Sequence, residues 1–292
     1  QTNAAEPVAN EEFFLRLGQR VIQWLANKTA EGFVFRVDMR LRPFGDSGPL
    51  VVSFDSLETY LQQHGRDWER YAFVKARPIT AINEYQSLYK NVIRPFVYRR
   101  YLDFSVFESL RNMKQMIARE VARRELHDHV KLGPGGIREV EFIVQAFQLL
   151  RGGNDLQLQS RELQQVLPKL VGHKLLPQQA VDELLAAYRH LRLVENRLQE
   201  WSDNNTHYLP KSDDAKLRLA VSLNHVDWQS LLTQLNLHRD RVSHWFSSIV
   251  FGVANEAPNS SASLDGLLDA AANQPEQLQA IQVLGITDAT YI

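Results

Sequence analysis

The 292-residue sequence carries 33 Lys and Arg against 34 Asp and Glu, a formal net charge of −1, and contains no cysteine. Disulfides, thiolate metal sites and a cysteine nucleophile are excluded, and a chain of this length points to two domains or to one domain with an appendage. No apolar run approaches the length of a bilayer span. The polar start Gln1-Thr2-Asn3 lacks both an initiating Met and the features of a signal peptide, so a segment of a longer cytoplasmic protein is expected, with no membrane partner.

From Asn10, Phe14, Leu17, Val21 and Trp24 recur at helical spacing and predict an amphipathic helix. The next stretch alternates with period two. Phe33, Phe35, Val37, Met39 and Leu41 fall on one face and Arg36, Asp38, Arg40 and Arg42 on the other, which predicts a strand. Pro43 to Pro49 is dense in turn formers and Leu50 to Phe54 reads as a second strand, so a hairpin is expected. An Asp55/Glu58 capping box predicts a helix to Gln63, and a further helix covers Trp68 to Ala76 before Pro78. Everything later reads as helical. Ser105 and Glu108 open a helix to about Glu125, and Gly133-Pro134-Gly135-Gly136 precedes one running to Leu150. Long helices are expected over Gln178 to Trp201, with Leu184, Tyr188, Leu191, Leu198 and Trp201 as its stripe, and over Val226 to Val250. From 252 onward the composition becomes linker-like. There is no internal repeat. The fold class expected is α+β and mostly helical, a partial β-sheet region followed by a helical bundle.

Asp38 is the residue that points most directly to chemistry. On a strand its carboxylate stands among Arg36, Arg40 and Arg42 on the face left free by the apolar residues. A carboxylate there can hold Mg²⁺ while guanidiniums clamp phosphate oxygens. The same pattern also describes a solvated, charge-paired edge face, and periodicity does not choose between them. Glu139 and Glu141 follow the Gly-rich turn, and Glu141 lies on the apolar stripe of Ile137, Val140, Val144 and Phe147, either as a bonded structural group or as part of a cleft. Glu195 poses the same question. The histidines show no metal-ligand grouping, no Gly-x-Ser-x-Gly elbow occurs, and Gly133 to Gly136 lacks the preceding apolar strand of a phosphate loop. The basic stretch from Arg94 to Arg124 comes without a nucleic-acid recognition motif, so nucleic acid is not expected as a partner.

The run Gly32 to Val51, with Arg36-Val37-Asp38-Met39-Arg40-Leu41-Arg42-Pro43-Phe44-Gly45-Asp46-Ser47-Gly48-Pro49 at its centre, closely resembles the third-carboxylate strand and hairpin of the glutamine synthetase adenylyltransferase family. The resemblance continues through Gly65-Arg66-Asp67-Trp68-Glu69-Arg70, Arg94-Pro95-Phe96, Ser109 to Lys114 and Gly135-Gly136-Ile137-Arg138-Glu139-Val140-Glu141. It covers roughly Asn10 to Val250. It implies a nucleotidyltransferase-type sheet over residues 1–100, a helical bundle domain over 101–251, and a linker with the start of a following segment over 252–292. The family carries two nucleotidyltransferase halves, one adding AMP to glutamine synthetase and one removing it by phosphorolysis to ADP. Met39, Phe44, Pro49 and Gly65 to Trp68 look more like the removing, N-terminal half. Asp38 is then a catalytic metal ligand, Arg36, Arg40 and Arg42 phosphate or nucleotide contacts, and Glu139 and Glu141 candidate cleft residues. Mg²⁺ is the implied cofactor. Adenylylated glutamine synthetase, the signalling protein PII, nucleotide and inorganic phosphate are the implied partners. The family's Gly-x-Ser-x-Asp-x-Asp motif is absent from this sequence. Lys211-Ser212-Asp213-Asp214 has the wrong spacing and reads as a helix cap. The chain by itself is therefore expected to be inactive, and the alternative is a helical interaction module that binds glutamine synthetase or PII without chemistry.

Overall fold

The computed structural model describes residues 8–32, 34–79, 83–99, 126–201 and 205–252, together with positions 108, 111, 112, 115 and 119. Most of the helix expected from Ser105 to Glu125, and the linker-like residues from 253 on, lie outside the described residues. The chain divides into two compact units between Gly65 and Arg66.

In the first unit, α1 spans Asn10–Ala26 as the apolar spacing predicts, with Glu11 and Glu12 in its first turn, where carboxylates complement the helix dipole. None of its residues is buried, and Trp24 is 67% exposed. Helix α2, Phe54–Gln63, is capped by Ser53, whose hydroxyl accepts from Ser56 N at 3.1 Å. The expected Asp55/Glu58 box is thus displaced by a serine that offers its oxygen two residues earlier.

The expected hairpin is corrected by the structure. Among the described residues no strand forms over 34–42 or 50–54, so the β-sheet region and the strand assignment of Asp38 do not hold. Alternation gives a segment two faces, but a strand also needs a partner to complete its ladder. Here the backbone is instead tied locally, by the Thr29 to Gly32 bridge and by Phe35 N–H donating to Leu25 O at 2.9 Å. The inward packing expected of Phe35, Val37 and Met39 is not seen either: Phe35 is 64% exposed, Met39 exposed and Val37 half-buried.

The second unit is helical. Helix α3 (Asp67–Phe73) is followed by α4 (Asn83–Leu88), which runs through a π-helical turn at Tyr89–Ile93 into α5 (Arg94–Val97). The buried Arg70 guanidinium joins these pieces, donating from Nε and Nη2 to Val97 O at 3.3 and 3.2 Å and from Nη1 to Asp67 Oδ1 at 3.3 Å. Helix α6, Ile137–Arg151, occupies the centre, and every residue from Val140 to Leu150 is buried. The short helix α7 (Leu163–Val166) packs beside it, and α8 (Lys169–Gly172) packs against α7 and against the long helix Gln178–Glu200.

The long helices α9 (Gln178–Glu200) and α11 (Trp228–Gly252) pair along the predicted stripes, with Leu184, Leu191, Leu231, Leu235 and Val242 fully buried. Between them stands α10 (Asp213–Ser222), whose cap is Ser212, as its position before Asp213-Asp214 predicts. Trp201 leaves its stripe. It follows the last turn of α9, is 61% exposed, and lies under the Arg218 guanidinium at 4.4 Å. Among the described residues no helix is long and apolar enough to cross a membrane.

The α9–α11 interface encloses two histidines, His190 and His238, with ring centroids 4.8 Å apart. Burial, together with the neighbouring His238 and His225, pushes His190 down to about 4, and burial with Arg241 nearby lowers His238. A histidine kept neutral in the fold but free to protonate when unfolded stabilises the protein above about pH 6.5, and this contribution is lost as pH falls toward about 4. Urea midpoints measured at neutral pH and near pH 5 should therefore separate more for the wild type than for His190→Gln. An identical pH dependence in the two proteins would contradict the assignment.

Candidate functional site

Asp38 lies on an irregular extended stretch and is clasped by Arg40. Arg40 Nε donates to both carboxylate oxygens at 3.0 and 3.1 Å, and Nη2 to Oδ2 at 2.5 Å. The Arg40 backbone N–H adds a bond to Oδ1 at 3.0 Å, an Asx-type turn that fixes the carboxylate against its own chain. The Arg40 side-chain hydrogen bonds dominate the electrostatics and hold the Asp38 carboxyl below its ordinary value against partial burial, with the charges of Arg40 and Arg36 assisting. Asp38 is therefore anionic at neutral pH, and almost half of its side-chain surface is exposed.

The other two arginines part company. Arg36 is exposed beside this pair. Arg42 turns back into the loop, donating to Met39 O at 2.6 Å and to Gly48 O and Asp46 O at 3.3 Å each, and pairing with the Asp46 carboxylate at 3.5 Å. With its side chain only 17% exposed, Arg42 shapes the turn and has few donors left for a ligand. The structure thus assembles Asp38 and Arg40, leaves Arg36 accessible beside them, and withdraws Arg42.

Glu139 and Glu141 sit in the second unit at the start of α6. Glu139 accepts the Gly135 backbone N–H at 3.2 Å and thereby braces the Gly-rich turn. Glu141 is buried and takes Arg138 Nη1 at 3.2 Å, the bonded structural arrangement. Nearby, Glu195 accepts from Arg192 at 2.5 Å and lies 3.0 Å from His207 Nδ1. Burial opposes ionisation of Glu195, but the His207 hydrogen bond and the Arg192 guanidinium outweigh it and hold the carboxyl at about 2.

The charges of Lys75, Lys131, Arg138 and Arg192 act on one another and on Glu141 around this cluster, and burial lowers both lysines. Sequence reasoning did not find this grouping, because its members come from four separate segments and no spacing links them. Among the described residues no three His, Asp or Glu side chains gather in a way that could hold a metal ion.

Residues 1–91 match the family described as glutamate-ammonia ligase adenylyltransferase, and residues 111–250 match the family described as GlnD PII-uridylyltransferase. The chain is 52% identical over 263 residues to a bifunctional glutamine synthetase adenylyltransferase/adenylyl-removing enzyme of Thioalkalivibrio sulfidiphilus, covering 90% of this chain and 27% of that protein. Proteins of the same name from Nitrosococcus oceani and Chromobacterium violaceum are 51% and 46% identical, over 84% and 94% of this chain and 25% and 30% of their own lengths.

These matches place the chain in a nucleotidyltransferase-type family. It belongs to the family of bifunctional glutamine synthetase adenylyltransferase/adenylyl-removing enzymes, and spans between 25% and 30% of the length of these relatives.

The Gly-rich turn before α6 carries its own test. Gly135 has φ +66°, and a Cβ there would stand 2.1 Å from Arg239 O, a backbone atom that cannot swing aside. Gly135→Ala should destabilise the second unit by about 1–3 kcal/mol, through overpacking and left-handed strain together. Thermal unfolding of the two proteins measures this directly, and an unchanged midpoint would show that the close approach is not maintained.

Proposed function

We propose that the chain serves, within a longer polypeptide, the removal of AMP from adenylylated glutamine synthetase. Inorganic phosphate attacks the phosphorus of the tyrosine–AMP phosphodiester. The new P–O bond gives ADP, and the tyrosine oxygen leaves and takes up a proton. The observation that carries this reading is the likeness over 90% of the chain, including the run that holds Asp38 between Arg36 and Arg40. Met39, Phe44, Pro49 and the Gly65-Arg66-Asp67-Trp68 run favour the removing half over the adding half.

In this reading Asp38 is a catalytic carboxylate, Arg40 positions it and keeps it ionised, and the exposed Arg36 is a phosphate contact. Mg²⁺ is the metal that the family likeness supports, with Asp38 as one ligand. The described residues do not by themselves fit the ion, because both Asp38 oxygens are already engaged by Arg40 and no second carboxylate gathers with them. Residues 1–100 form part of the nucleotidyltransferase domain in this proposal, and 101–251 a helical domain. The match to the GlnD PII-uridylyltransferase family over 111–250 supports a contact with PII in that region.

A second reading is favoured by the helical character of the second unit: a binding module for glutamine synthetase or PII that performs no chemistry. The two are separated by substitution in the longer enzyme. Asp38→Asn should lower phosphorolysis by at least about 100-fold while leaving the melting temperature within a degree or two, because the change removes charge at constant volume from a partly exposed site. Wild-type ADP release by the folded variant would remove Asp38 from the chemistry. The 292-residue chain alone, given adenylylated glutamine synthetase, Mg²⁺ and phosphate, should release no ADP above background, and turnover comparable to the longer enzyme would overturn the single-carboxylate argument.

A further inference from the structure

The second unit contains a cleft of about 560 Å³ that the catalytic reading does not use. It is lined by Lys90, Arg94 and Arg99 together with Asn91, Pro95 and Tyr98, three cations and, among the described residues, no acid. The volume lies within the range of small-ligand sites. Lys90 and Arg94 stand four residues apart, a separation at which like charges repel, and among the described residues neither side chain makes a hydrogen bond or ion pair. Arg99 is paired with Asp67 at 3.9 Å. Elsewhere in this unit the partly buried guanidiniums of Arg138 and Arg192 each have a carboxylate within 3.2 Å, whereas Lys90 and Arg94 have none among the described residues.

The backbone also departs from regularity here. Lys90 and Asn91 are carried by the π-helical turn Tyr89–Ile93, a distortion that recurs at functional sites. Tyr98 is buried, and burial raises its hydroxyl well above the ordinary value, so it stays protonated and able to donate. Arg94 and Lys90 thus offer a guanidinium fork and an ammonium to one space, lined also by Tyr98 and by Asn91, whose amide donates to Ser87 Oγ at 3.1 Å. This is the donor set that a tetrahedral dianion uses.

We propose that this cleft binds the phosphate group of a small ligand, either free orthophosphate or the phosphate of a nucleotide, with Arg94 as the principal contact. The inference does not depend on the catalytic role of Asp38, since none of the lining residues belongs to that site.

Isothermal titration of the 292-residue chain with orthophosphate and with ADP tests it. Saturable binding that weakens with added salt is expected for at least one of the two ligands. Arg94→Gln should weaken it by at least about ten-fold, with partial recovery in Arg94→Lys, whereas Arg16→Gln, on the exposed surface of α1, should bind as the wild type does. ADP binding at least about ten-fold tighter than orthophosphate identifies a nucleotide site, and equal affinities identify a free-phosphate site. If Arg94→Gln does not fold by circular dichroism, Lys90→Gln carries the test in its place. Absence of saturable binding by both ligands, or unchanged affinity in Arg94→Gln and Lys90→Gln, would overturn the proposal. Loss of binding in Arg36→Gln alone would place the phosphate at the Asp38 site instead.

Discussion

The second unit depends on one constraint: a helix buried on every side must satisfy all of its polar side chains from within the protein. In α6 the run from Val140 to Leu150 has no exposed face, yet it includes Glu141, Gln145 and Gln148. Gln148 Nε2 settles on the carbonyls of Leu158 and Ser160 at 2.6 and 2.8 Å, which draws the following segment back along the helix. Glu141 holds Arg138 one turn earlier. An unsatisfied polar group here would cost about 1–3 kcal/mol, so these bonds specify which neighbours may surround the helix as firmly as its apolar residues do.

The first unit follows a different logic. Its helix α1 buries no residue, and Phe13, Phe14, Trp24, Val34 and Phe35 all stand largely exposed. Order in this unit comes from short-range polar ties: Arg40 on Asp38, Arg42 on three carbonyls, Ser53 on the first turn of α2. A carboxylate oriented by such local bonds keeps its geometry without a deep core beneath it. Its proton affinity is set mainly by one guanidinium.

How much of this was legible in the sequence differs by element, for physical reasons. Helices α1, α6, α9 and α11 follow from apolar spacing, because each presents a stripe of period 3.6 over several turns. The Ser212 cap was also readable, since it is set within a few residues, whereas the sequence left Glu141 open between a bonded group and a cleft residue. The hairpin was not, because alternation describes one strand and is silent on its partner. Arg42 looked equivalent to Arg40 in the pattern, and only the loop's carbonyls distinguish them. Trp201 matched its stripe but falls beyond the last turn of α9. The cleft around Arg94 and the charges around Glu195 gather residues distant in sequence, and periodicity carries no information about such meetings.

The loop that follows Asp38 and Arg40 contains an unusual backbone position. Phe44 sits at φ 58°, a region that bulky side chains rarely enter, and its ring packs edge-on against Tyr60 at 4.9 Å and against His64 at 5.2 Å. The aromatic contacts compensate a conformation that would otherwise relax. Pro43 to Gly48 is thereby held in one conformation by contacts at its own aromatic ring. A small anion approaching Asp38 and Arg40 would meet a mould already set, and its recognition would depend on fit to that shape more than on any yielding of the wall.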